Sequence, residues 1–420
     1  MLNPTLRETL DRPNFITNSD WRAFQAQTSK TSFQWMSDSI KIENLNWAQA
    51  QDHRLEWSNL IGRALDSNVF LTPGFLLPAA QHIEQDQQPR FIFIWDHSIG
   101  QADQQLLGLF VIDLPASGRG TIARFWQRNY SALGTPLVDK TRAELVLDRF
   151  FKWIERHHPH IVAVQIPMLP AESNTALAFE AYSQHMGLEH KALTRFQRAI
   201  LSAGRSFDEV LPAASKAKHI RNWARQSRQL EQLGTLTYEI ATTPHDVRQS
   251  IEDFMQLEAS GWKGDQRTAL IAKASLATFA RTMARLLAHE RQFAIHALKL
   301  NGKPIAMGIV LISEDQACFW KIAYDEDFAA YSPGIQFVLA FSKHQSAQAD
   351  IALTDSCAIP NHPMIDRLWP ERQNMVDMLI ALTPRHNGAF NRAYARAIMV
   401  QSMRRIAKKA YYRLMGRKVS

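Results

Sequence analysis

Five carboxylates and one histidine hold positions suited to acid–base chemistry. Glu258 lies four residues before Trp262 in a helical segment, so both could face one side. Its competing reading is a solvated charge at a helix end. Asp355 closes the apolar run "IALTD", a position that often faces a cleft, or else it caps the next turn through Ser356 and Cys357. Asp325, Glu326 and Asp327 follow a strand and read as a solvated turn, with Asp325 as a candidate substrate contact. In "DSCAIPNHPMIDRLW", Cys357 and His362 stand five residues apart. A nucleophile and its base are usually distant in sequence, so this reads as a two-proline loop packing Met364, Ile365 and Leu368 inward. His362 is kept as a candidate base.

Two lysines and one turn could meet anions. Lys321 sits inside the apolar strand "ACFWKIAY", where an ammonium is costly unless it reaches a carboxylate or a ligand. "SGWKG" sets Trp262 and Lys263 between two glycines. The tryptophan is either a plug under a loop or the wall of a pocket. Lys263 either pairs with a phosphate or carboxylate or stays a free surface lysine. Downstream, "YDEDFAAYSPGIQFVLAF" leaves a strand, crosses an acidic turn and restarts as a helix at Pro333-Gly334. A helix N-terminus with free N–H groups can hold a phosphate, with Gly334 letting backbone approach closely; an ordinary connection is the alternative.

These groups need elements to position them. The first half reads as a helix around Trp57 to Ala64, a break at Asp66-Ser67-Asn68 and a helix opened by Pro73. Strands are expected at Arg90 to Trp95, Gln105 to Ile112, Thr121 to Trp126 and from Ile161, with a last one at Thr194 to Leu201. Helices are expected from Arg142 to Arg156 and ending at Gly187. The second half repeats the scheme, with a basic helix closed by Gly234, a strand from Leu236 to Ala241, and helices His245 to Ser260 and Leu270 to Glu290. Two apolar runs joined by Asn301-Gly302 form a hairpin; the strand Ala317 to Tyr324, the helix from Gly334 and the strand Ile351 to Asp355 complete it. The fold class is α+β, each half a mixed, mainly antiparallel sheet flanked by helices. The polar stretch Ser202 to Pro212 divides the chain into domains 1–204 and 205–384, followed by a basic helical tail, 385–420.

The segments "FMQLEASGWKG", "LNGKPIA" and "KIAYDEDFAAYSPG", in this order and spacing, resemble the CelD-like acetyltransferases of the GNAT superfamily over roughly Leu201 to Leu382. The first half resembles a degenerate GNAT-like repeat, and the whole is distantly similar to Fem-type aminoacyl transferases. The resemblance implies tandem GNAT-like domains and an acyl-CoA-dependent N-acyltransferase using acetyl-CoA or another acyl-CoA. It places the donor pyrophosphate at Tyr331, Ser332, Pro333, Gly334 and Ile335, where one glycine stands in place of the family's several. The acceptor it implies is an amine, small or lipid-linked, with a role in exopolysaccharide or cell-envelope production. A non-catalytic GNAT-fold scaffold in a polysaccharide-producing assembly is the alternative.

Charge and composition narrow the classes further. Hydrophobic content is 46% and charged content 21%, both globular values. The net charge of +8 is a property of the tail, since Leu379 to Ser420 holds ten Lys and Arg and no acid, leaving 38 bases against 40 acids elsewhere. A nucleic-acid-binding fold is therefore not expected, whereas the tail could touch an anionic membrane surface. No apolar run reaches the ~20 residues of a span, and "MLNPTLRETLDRPNF" lacks a signal core, so a cytoplasmic location is expected, with the inner membrane face as an extension. Two cysteines, and the unspaced "RHHPHI", give no metal site.

Overall fold

The computed structural model describes residues 39–84, 88–98 and 104–414. The N-terminal stretch Met1 to Phe15, and Arg417 and Lys418 of the tail, lie outside them. Of the described residues, 39–41, 95–98 and 104–105 belong to a small unit, in which the His97 N–H donates to Ser39 O at 2.8 Å, and the others to a large one.

The elements in chain order are β1 (Ile40–Leu45), α1 (Trp47–Ala50), α2 (Arg54–Ile61), α3 (Pro73–His82), β2 (Arg90–Asp96), β3 (Gln105–Asp113), β4 (Ile122–Phe125) and β5 (Leu137–Val138). Then come α4 (Ala143–His157), β6 (Ala163–Pro170), α5 (Asn174–His185), β7 (His190–Ser202), α6 (Phe207–Ala214) and α7 (Ala217–Leu233). The second half follows as β8 (Leu236–Ala241), α8 (Pro244–Ser260), α9 (Trp262–Asp265), α10 (Ala274–His289), β9 (Phe293–Leu300), β10 (Lys303–Ser313) and β11 (Gln316–Tyr324). It closes with α11 (Pro333–Ser346), β12 (Leu353–Asp355), β13 (Glu371–Ala381) and α12 (Asn387–Leu414).

The strand order is β1–β2–β3–β4–β6–β13–β7–β12–β11–β10–β9–β8, with β5 beside β3. Two pairs are parallel, β4 with β6 and β11 with β12, each joined through a helix, α4 and α11. The other registered pairs are antiparallel, so the mixed α+β class expected from the sequence is what forms. Helix α4 shows why these segments take their places. Val146, Leu147, Phe150, Phe151 and Ile154 recur at helical spacing and are all buried, with Phe150 stacked on Phe110 at 3.8 Å. Each such side chain contributes roughly 1.5–3 kcal/mol by leaving water. Between β9 and β10 the backbone turns through Asn301 and Gly302 at φ 50° and 80°, the left-handed pair that a two-residue hairpin needs.

Strand β13 carries no expectation from the sequence. Its first residues, Glu371 to Asn374, are polar, and its partners are far away in the chain. It lies between β6 and β7, opposing Met378 to Ile166 and Glu371 to Ile200. Strand β7 in turn pairs with β12, Ile200 opposite Asp355. The last strand of the chain thus sits among first-half strands, and the sheet runs on without a gap.

The tail helix α12 packs Phe390 and Ala393 with Val162, Leu193, Leu379 and Ala381, so its seat is on β6, β7 and β13. Tyr394 Oη donates to Ala192 O at 3.3 Å. Met399, Met403 and Ile406 further along are 56–66% exposed.

Candidate functional site

Pairing between β11 and β12 stops at Cys318 opposite Asp355. Strand β11 continues to Tyr324 while the chain after Asp355 turns away, so from Phe319 onward the β12-side edge of β11 has no strand neighbour. A bulge adds to this divergence: Ile309 opposes Lys321 and Val310 opposes Phe319, leaving Trp320 unopposed. An open edge offers unpaired backbone donors and acceptors to whatever lies beside it.

The chain then enters a 3-10 turn, Glu326–Tyr331, and α11. Ser332 is the N-cap of α11 in the left-handed region (φ 55°, ψ 55°), a conformation costing a non-glycine residue of order 1–3 kcal/mol unless its surroundings fix it. The surroundings do so. Gln226 of α7 donates to Ala330 O (2.9 Å) and to Ser332 Oγ (3.1 Å), and Gln336 donates to Trp223 O (2.9 Å). Pro333 has no N–H, while the Ile335 and Gln336 N–H groups both bend back onto Ser332 O. That leaves the Gly334 N–H as the group of this first turn with no protein acceptor, where the sequence suggested several. Gly334 itself is buried, and a Cβ there would come within 3.1 Å of the Tyr324 ring. Close packing on Tyr324 therefore favours the glycine, since a Cβ would push the ring by a few tenths of an ångström. Tyr331 and Ile335 are half-buried against the core of the second half.

A second group of side chains lies between α8 and β11. Glu258 occupies the buried stripe of α8 after Val247, Ile251 and Phe254, and its side chain is fully buried. Its Oε2 accepts from the Leu270 N–H at 2.7 Å, which shortens the expected helix so that α10 starts at Ala274. Its Oε1 accepts from Lys263 Nζ at 3.1 Å and Lys321 Nζ at 3.4 Å. Lys263 also donates to Ile322 O at 2.7 Å on the bulged strand. Burial, and after it the neighbouring Lys321 ammonium, holds Lys263 below the ordinary lysine value against the pull of Glu258. The corner Gly261–Gly264 is tight, since a Cβ on Gly264 would strike Ala259 O at 1.9 Å. Trp262 donates its N–H to Glu326 Oε1 at 2.9 Å, joining this corner to the start of the 3-10 turn. Its indole is 45% exposed, so it is no plug under a loop.

Several expected roles are corrected by these positions. Asp355 is not an open base: its Oδ2 accepts from buried Arg198 at 2.8 Å and its Oδ1 from the Cys357 N–H at 2.8 Å. His362 Nδ1 accepts from the Met364 and Ile365 N–H groups, both at 3.3 Å. Burial lowers its pKa, so the ring is neutral with its proton on Nε2, a donor rather than a base. Asp325 is buried and caps the 3-10 turn through the Asp327 N–H, with Lys303 Nζ at 3.3 Å, so it holds the turn rather than standing as a solvated charge. Lys321, expected to reach a carboxylate or a ligand, reaches the carboxylate of Glu258 on α8. Glu258 is not the solvated helix-end charge of its competing reading; it is buried, accepts from the Leu270 N–H and anchors two lysines.

Sequence reading missed Arg198, Gln226 and the segment Trp126 to Arg142. Arg198 also donates to Ala132 O at 3.1 Å, and Trp320 Nε1 donates to Tyr130 O at 2.7 Å. The first half's long connection between β4 and α4 therefore lies against β11 and the end of β12, where those strands separate. Asn68 pins the same loop through Thr135 O at 2.8 Å. An arginine inside the apolar strand "TRFQRAIL" was the available signal, since buried charge demands a partner.

Residues 217–349 match the family described as acetyltransferase (GNAT) domain. The protein carries a GNAT-type acyltransferase domain. Among solved structures, the chain is similar to FemX at 9% identity and a TM-score of 0.50, covering 81% of this chain and 96% of that one. It also aligns with the C-terminal DUF2156 domain of a putative lysylphosphatidylglycerol synthetase from Agrobacterium fabrum (10% identity, TM-score 0.48, 84% and 95% covered). A tandem GNAT protein from the clavulanic acid biosynthesis pathway aligns at 14% identity and TM-score 0.39, over 82% and 99%. A search of curated proteins found no match.

Proposed function

We propose that this GNAT-type acyltransferase moves an acyl group, acetyl in the simplest case, from acyl-CoA to an amine. The observation that carries the reading is the union of an open β11 edge with a rigid turn whose Gly334 N–H lacks a protein acceptor. A helix N-terminus favours a pyrophosphate, and an open strand edge suits the amide groups of a pantetheine arm. Tyr331, Ser332, Pro333 and Ile335 shape that turn, and Trp262 and Lys263 stand as the acceptor wall.

Glu258, Asp355 and His362 are each held by hydrogen bonds to the protein, so in this reading the chemistry rests on positioning and oxyanion stabilisation. In this reading the amine enters neutral and gives its proton to water. The rate then rises with pH to a plateau set by the acceptor amine's own pKa. A plateau that stays fixed when the acceptor is exchanged would restore a protein base.

The acceptor, in this reading, is a small or lipid-linked amine of exopolysaccharide or cell-envelope synthesis, handled in the cytoplasm or at the inner membrane face. No helix among the described residues is long and apolar enough to cross a membrane. Calorimetry with acetyl-CoA and longer acyl-CoAs, followed by thiol release with a panel of amines, tests the proposal. Failure to bind any acyl-CoA would leave a scaffold of GNAT fold.

A further inference from the structure

The cluster between α8 and β11 is out of charge balance. Two ammonium groups share one carboxylate oxygen, and among the described residues no second acid pairs with either lysine. Both lysine side chains are only 21% exposed, and Glu258 is fully buried, so water screens the surplus positive charge poorly. Lys263 is well satisfied by Glu258 and Ile322 O. Lys321 is not: its three N–H bonds meet one acceptor at 3.4 Å, with the Trp320 ring 5.4 Å from Nζ. A partly buried ammonium with unused donors is arranged to take an anion. Beside it lies the exposed face of Trp262, with Lys263 Nζ 5.9 Å from the ring, and the Trp262 N–H is tied to Glu326 on the donor turn.

We infer that Lys321 and Lys263 form a subsite for an anionic group of the acceptor, a phosphate or a carboxylate, with Trp262 as its apolar wall. This rests on the acyltransferase reading above and narrows the acceptor to an amine that also carries negative charge. The subsite is separate from the donor turn, because Lys321 faces α8 whereas Gly334 packs on Tyr324.

The test uses the full chain and inorganic phosphate and acetate as probes, with binding followed by calorimetry in the absence and presence of acyl-CoA. Lys321→Met leaves Glu258 paired with Lys263, so the folded state loses its surplus charge and its thermal midpoint is expected to hold or rise. Anion affinity is expected to fall at least tenfold, acyl-CoA affinity to stay unchanged, and Lys321→Arg to keep most anion binding. A preference for phosphate over acetate assigns the group as phosphate, and the reverse as carboxylate. Phosphate that binds Lys321→Met as tightly as the unaltered chain, or that is displaced by acyl-CoA, overturns the subsite. Loss of acyl-CoA binding by the unaltered chain, with Lys321-dependent phosphate binding intact, would sink the donor reading alone.

Discussion

The molecule makes the same connection twice and uses it in two ways. In the first half β4 leads to α4, and in the second β11 leads to α11, each followed by a strand parallel to the first. The second connection is short and rigid, entering α11 through Ser332 with no acid in the first turn. The first wanders from Trp126 to Arg142 and places Glu144 in the first turn of α4, where an anion would be repelled. Its loop gives its backbone carbonyls to Trp320 and Arg198 instead. A shared topology therefore does not carry a shared site. One connection keeps a helix N-terminus free of acid, and the other has become packing for its twin.

The largest test of that contrast is the buried pair that clamps the first loop to the second half's strand. Arg198→Ala should cost about 3–5 kcal/mol, because Asp355 is left buried and unpaired. Chemical unfolding measures it, and adding Asp355→Ala should recover part of the loss. A cost below about 1 kcal/mol would mean the loop does not depend on the clamp.

The next effect sharpens the difference through pH. His296 of β9 is buried, accepts or donates at Nδ1 with Tyr238 Oη at 2.8 Å, and is pushed down to about 3 by burial and then by His344. The folded state keeps it neutral, while the unfolded chain takes up a proton below about 6.5. Stability is therefore complete above that value and falls as pH drops towards 3, by at most ~1.4 kcal/mol per unit from this group. His296→Phe should flatten the slope of unfolding free energy between pH 6 and 4; an unchanged slope assigns it elsewhere.

Gly334 separates packing from binding. Gly334→Val should destabilise by roughly 1–3 kcal/mol through the Tyr324 ring alone. In a Tyr324→Leu background, Gly334→Ala should fold nearly as well as its parent yet still bind acyl-CoA more weakly. Equal affinity in that pair would return the turn to a purely structural role. The smallest effect concerns the tail, whose seat is on first-half strands. Exposed Met399, Met403 and Ile406 in an acid-free segment fit an anionic lipid surface, each nearby Lys or Arg adding about 1 kcal/mol. Sedimentation with anionic vesicles at low and high salt should separate the full chain from one ending at Ile398, which keeps Phe390 and Ala393. No binding by either at low salt leaves α12 a structural helix.

What was legible in the sequence was local. Asn301-Gly302 announced its hairpin because only certain residues accept that turn, and Gly234 closed α7 as expected. The strand-to-helix turn at Pro333 was readable for the same reason. The site's inner partners were not, since Glu258 with Lys321, and Arg198 with Asp355, meet across 63 and 157 residues. Glu258 did leave a trace: it falls on the same helical stripe as Ile251 and Phe254, where a solvated acid has no place. Strand β13 left none, its polar start resembling a loop and its neighbours being fixed only by the finished sheet.

That last strand has a consequence for how the chain is made. A ribosome releases the residues of β6 and β7 long before it reaches Glu371, yet the space between those strands is filled by β13 alone. Throughout that interval the growing chain holds two unmatched edges of a largely apolar sheet, the condition under which nascent proteins associate wrongly or call on chaperones. Premature termination anywhere before Ala381 would leave the first half as incomplete as the second, so the two halves complete their sheet together, when β13 arrives.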